Sequence, residues 1–124
     1  MSGPNIQFFF TLRDTLKIHH WQTNQFSTHT AIDKTIEDLD TLIDQYVEVY
    51  MSRFHRPRFS PTASVHLKTL TRKSMVKMLE QCSLYLHSPT FTRGLDKTKH
   101  SDLYNIRDEM VAVIQRLLYL FTLH

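Results

Sequence analysis

Six side chains able to bind a cation recur along one stretch of this sequence: His29, Asp33, Glu37, Asp40, Asp44 and Glu48, spaced four, four, three, four and four residues apart. On a helix turning about 100° per residue they fall within roughly one third of the circumference. Like charges one turn apart repel by about 0.2–0.5 kcal/mol per pair, yet no Lys or Arg interrupts the row. Cations bound along the face would offset that repulsion, and so would basic groups from another helix or chain. The plain alternative is an acidic face left in water.

His20 adds a second imidazole, and only a short turn separates it from His29. Core packing is the ordinary use of such a histidine. The other use is as a ligand, because imidazole nitrogen with carboxylate oxygen suits non-haem iron, with manganese or zinc as alternatives. Distance then restricts the set. Asp44 lies 15 residues beyond His29, about 22 Å along a helix axis. His20 and His29 therefore cannot share an ion with Asp44 and Glu48 of their own chain. A twofold axis near the middle of this helix would bring the histidines of one copy onto the carboxylates of the other. The one-chain alternative joins Asp44 and Glu48 to Glu109.

The elements that must position these groups are helices. Only 2 Gly and 4 Pro occur in 124 residues, so long helices are favoured over many short strands. Ile6, Phe9, Leu12, Leu16 and His20 recur at helical intervals and predict a first helix over Pro4 to Thr23. A second, capped by Ser27 or Thr28, continues to Arg53 with Ile32, Ile36, Leu39, Ile43, Tyr46 and Tyr50 inward. Ser60 as cap and Pro61 at the first position predict a third helix to His87, with Leu67, Leu70, Met78, Leu79, Cys82 and Leu86 inward. An irregular stretch, Ser88 to His100, precedes a fourth from Ser101 that buries Leu103, Ile106, Met110, Val113, Leu117, Leu120 and Phe121. Residues 1–124 read as one domain, an all-α four-helix bundle. The connection between helices two and three is about ten residues and could reach about 33 Å, enough for the ferritin-like bundle with one long crossover.

The run His20-Trp21-x7-His29-x3-Asp33-x10-Asp44-x3-Glu48 resembles the mini-ferritins, the DNA-protecting proteins of starved bacteria known as the Dps family. The resemblance implies an iron site between twofold-related subunits, with His20 and His29 from one chain and Asp44 and Glu48 from the other. It also implies Asp33 as an accessory ligand. Trp21 would stand beside the site as a radical trap, or simply pack in the core. The implied activity is that of a ferroxidase: Fe(II) is oxidised by peroxide or dioxygen and stored as mineral in a closed homo-oligomeric shell. The turn between the histidines is shorter than the family's usual one and lacks its Gly, and a Lys-rich N-terminal extension is absent. The short chain looks closer to compact ferritin-like proteins of phages and large DNA viruses.

Other chemistry is poorly supported. No glycine-rich phosphate loop or nucleophile setting is present, and the single Cys82 excludes an internal disulfide framework. His19, His55, His66, His87, His100 and His124 read as surface residues. A formal charge of +3 permits nucleic-acid contact without predicting it. Arg53, Arg56 and Arg58 with Phe54, His55 and Phe59 form a basic-aromatic patch that could touch nucleic acid or an anionic partner, or could be a solvated connector. No leader or membrane span is read, so a cytoplasmic protein is expected, in the host cytoplasm or the virion if viral. The competing function is a non-catalytic structural or assembly protein on the same scaffold, its acidic face against a basic partner.

Overall fold

A computed structural model of the chain describes residues 3–123. They form four helices, α1 (Gly3–Gln22), α2 (Phe26–Arg53), α3 (Arg72–His87) and α4 (Ser101–Leu120), with no strand among the described residues. The all-α, four-helix class expected from the periodicity is the one found. Only residues 23–25 separate α1 from α2, so the chain must reverse there. Thr23 holds the turn: its N–H donates to His19 O at 2.9 Å and its Oγ1 accepts from Gln25 N at 3.2 Å. The helix start differs from expectation. α2 begins at Phe26 after Gln25, and no side chain caps it. Thr28 is buried instead, its hydroxyl donating to Gln25 Oε1 at 3.1 Å and accepting from Arg72 at 2.9 Å.

The third helix is shorter than the Ser60-Pro61 pair suggests. Ser60 makes only a turn, with Ala63 N donating to its carbonyl at 3.0 Å. The working cap is Thr71, whose Oγ1 accepts from Ser74 N at 3.1 Å. Reach is the physical reason. The 28 residues of α2 make a rod of about 42 Å, and ten extended residues span at most about 33 Å. The longer segment 54–71 closes that gap. Leu67, expected inward, is exposed within it, and Met75 joins Leu79, Cys82 and Leu86 in the core.

Hydrogen bonds trace the crossing. Gln7, early in α1, donates to Ser64 O at 2.9 Å, and Gln22 at its end donates to Thr69 Oγ1 at 3.1 Å. The connection therefore runs the length of α1. α3 starts beside the α1–α2 turn, parallel to α2 and antiparallel to α1 and α4. Arg72 ties this end together, donating to Gln25 Oε1, Thr28 Oγ1 and Phe121 O with its guanidinium over the Phe121 ring at 4.8 Å. At the other end Tyr85 donates to Asn5 Oδ1 at 2.6 Å, Asn5 Nδ2 donates to Phe91 O at 3.2 Å, and Arg53 of α2 pairs with Asp102 of α4. α2 packs against both α1 and α4, and α3 against α4.

The buried apolar side chains of all four helices join in one cluster, with Phe91 and Phe121 entering from the segments outside the helices. Each full Leu- or Phe-sized burial contributes about 1.5–3 kcal/mol. In α4 the inward residue is Ile114, not Val113 or Leu120, which are half-buried. No helix among the described residues is long and apolar enough to cross a membrane.

Candidate metal centre

The α1–α2 turn holds the two histidines face to face. His20 is buried on α1, His29 is half-buried on the first turn of α2, and their rings stack with centroids 3.7 Å apart and an angle of 18°. Each Nδ1 lies 2.8 Å from the backbone carbonyl of the other histidine. A carbonyl only accepts, so both Nδ1 atoms carry the proton. In the neutral rings both Nε2 atoms then keep a free lone pair. Donation of the second ring nitrogen to a carbonyl is how metal-binding imidazoles are oriented.

Asp33 stands one turn after His29, with Oδ1 3.9 Å from His20 Nε2. That is too long for a hydrogen bond. It fits two donors of one ion, which sit about 2.1 Å from the metal and so roughly 3–4 Å from each other. His20, His29 and Asp33 are thus gathered at one end of the bundle. Among the described residues, however, no group of three or more His, Cys, Asp or Glu side chains is arranged to hold an ion within one chain.

Asp44 and Glu48 are exposed further along α2 and have no ionic partner among the described residues. Asp44 edges an open, largely apolar groove of about 720 Å³ with Phe10, Val47, Pro57 and Phe59. Glu109 borders a groove of about 340 Å³ with Gln45, Val49 and Asn105. Among the described residues it joins no group of three such side chains arranged to hold an ion.

The acidic row is partly neutralised from inside the chain. Arg13 of α1 donates Nε and Nη2 to the two Asp40 oxygens at 2.9 and 3.3 Å, and this bond holds the guanidinium pKa above its ordinary value. Lys34 pairs with Asp38, outside the row, at 3.0 Å. The Arg13 pair was open to sequence reasoning, since Arg13 precedes His20 by seven residues and shares its side of α1.

The neighbouring Trp21 and His19 depart from expectation. Trp21 is 69% exposed, not packed in the core, and Lys17 Nζ lies 5.6 Å from its ring centroid. Phe26, 79% exposed, brings its ring to 6.4 Å from that of His29. His19, read as a surface residue, is buried, and its Nδ1 has no hydrogen-bond partner. Burial, with the Arg72 charge adding to it, lowers the His19 pKa. Its neighbours include Phe121, at 6.5 Å between ring centroids. The position of His124 lies outside the described residues.

A family of unknown function, DUF5856, matches residues 20–121. The chain belongs to this family. The DUF5856 match opens at His20 and spans His29, Asp33, Asp44, Glu48 and Glu109, so every candidate ligand falls inside it. No curated protein and no solved structure matches the chain.

Proposed function

We propose that this protein is a ferritin-like ferroxidase and iron-storage protein whose oxidation site is completed by a second copy of the chain. The observation that carries the reading is the histidine pair. Two imidazoles held by each other's main chain would present, as neutral rings, two Nε2 lone pairs, with the Asp33 carboxylate alongside. Such a pair is an incomplete ligand set. The unpaired carboxylates Asp44 and Glu48 are the natural complement, and helix length keeps them about 22 Å away in the same chain.

The surroundings support the pairing of copies. Exposed Trp21 and Phe26 flank the histidines, while exposed Phe10 flanks Asp44. Apolar surface beside each half of a split site is what an isologous interface would bury. The long crossover, with α2 and α3 parallel, supports the ferritin-like arrangement.

Fe(II) is the substrate. Two Fe(II) ions each give up one electron to dioxygen, which takes two protons and leaves as hydrogen peroxide, or to a peroxide, which takes two protons and leaves as two waters. The histidines and carboxylates hold the ions near one another, and the carboxylate charge favours the Fe(III) product. Closed-shell storage of the mineral belongs to this proposal as well.

Fe(II) titration under air tests it. The expected result is rapid oxidation of roughly one or two Fe(II) per subunit, and its loss in the folded His29→Ala/Asp44→Ala double variant. Kinetics unchanged by that pair of substitutions overturn the proposal. A second reading draws on Arg13, whose pairing with Asp40 shows that part of the acidic row is occupied by a basic group of this chain. On that reading the rest of the row docks a basic partner in a structural or assembly role. Protein that is metal-free by elemental analysis and also indifferent to added Fe(II) decides for it.

A further inference from the structure

The end of the bundle remote from the histidines gathers positive charge from two separate stretches of sequence. One is Arg53 to Phe59, leaving α2; the other is Lys97 to His100, entering α4. The fold joins them. Arg53 donates to Lys99 O at 2.9 Å, and the Phe54 ring meets that of His100 edge-on with centroids 5.0 Å apart. Arg56, Arg58, Lys97 and Lys99 are exposed on these segments. The two carboxylates beside them are already engaged. Asp102 pairs with Arg53, and Asp96 accepts from the backbone N–H groups of Lys99 and Thr98 at 2.7 and 2.9 Å. A net positive surface is left facing water.

Arg58 and Phe59 also border an open cleft of about 350 Å³ whose other walls carry Gln7, Ser60, Thr62 and Ser64. Phe59 is 48% exposed. An arginine for a phosphate, an open aromatic face for a base and hydroxyls for polar edges suit one unpaired nucleotide.

We infer that this end of the bundle binds single-stranded nucleic acid, with Arg56, Arg58, Lys97 and Lys99 along the phosphates and Phe59 stacking on a base. A lipid surface fits less well. Its docking elements are amphipathic helices with a continuous apolar face, whereas here single Phe rings alternate with charges on non-helical chain. A duplex also fits less well, because its bases are already stacked and cannot use the Phe59 face.

Fluorescence anisotropy with labelled single-stranded and duplex oligonucleotides of equal length tests the inference. The expected result is binding to the single strand that falls with salt, with a log–log slope of about −3 for four neutralised phosphates. Arg56→Glu/Arg58→Glu, two exposed positions in the connection, weakens it at least about tenfold, and Lys97→Glu/Lys99→Glu does likewise. Phe59→Ala weakens it several-fold and leaves the salt slope unchanged. Lys34→Glu/Lys77→Glu, away from this end, changes it less than about twofold. Four results overturn the inference: no binding at low salt, tighter binding of the duplex, equal binding of anionic phosphatidylserine vesicles, or equal loss in the Lys34/Lys77 control. Because the surface lies at the opposite end from the histidine pair, its failure leaves the iron reading untouched.

Discussion

Two imidazoles that donate to each other's carbonyls have committed one nitrogen each and left the other uncommitted. Their types and spacing were legible in the sequence; their mutual locking was not, because it depends on how three turn residues bring two backbones together. Asn5 shows the same limit. Nothing in its neighbourhood of the sequence singles it out, yet its buried amide bridges the Tyr85 hydroxyl and the Phe91 carbonyl, 80 and 86 residues away. Removing one partner of a buried hydrogen bond strands the others. Asn5→Ala is therefore expected to lower unfolding free energy by about 1–3 kcal/mol, read by urea denaturation. Tyr85→Phe, which strands one acceptor only, costs less. A stability for Asn5→Ala equal to that of the unsubstituted protein removes the bridge from the account. Burial pushes the Cys82 thiol up to about 12, which disfavours the thiolate.

Among the helices, α1, α2 and α4 were readable from period alone, since each keeps an uninterrupted apolar stripe and ends at a clear break. α3 was not. Ser60-Pro61 carries the local signature of a helix start, and Thr71 carries a weaker one, but only the second is used. Local propensity there amounts to about 1 kcal/mol for a cap, and it yields to the need to return across a helix about 42 Å long. The element-scale prediction follows. Thr71→Ala removes the oxygen that accepts from Ser74 N and is expected to lower stability by about 1 kcal/mol. Ser60→Ala is expected to stay within about 0.5 kcal/mol of the unsubstituted protein. Thermal denaturation of the two variants side by side measures the difference, and the reverse order refutes the assignment of the cap.

For the whole molecule the proposal makes the active unit a pair of chains, and complementation tests that directly. His29→Ala and Asp44→Ala proteins are each expected to oxidise Fe(II) no faster than buffer. Unfolded and refolded together, they form mixed dimers in which one site receives both defects and the other receives neither. Random pairing then restores about a quarter of the sites. A site built within one chain restores none, so absence of recovery in dimers shown to be mixed argues against the shared centre. The two ends of the bundle are also chemically distinct. The turn end carries the stacked imidazoles of His20 and His29, and the far end carries arginines and lysines assembled from two connections.

From the sequence alone came the helical class, most of the core stripe, the acidic row and the separation between His29 and Asp44. All of these rest on periodicity and fixed rise, which are properties of a single helix. The start of α3, the burial of His19, the exposure of Trp21 and the merging of residues 53–59 with 97–100 were decided only by the tertiary structure. Each depends on which surfaces meet once four helices share one core, and no local pattern encodes that.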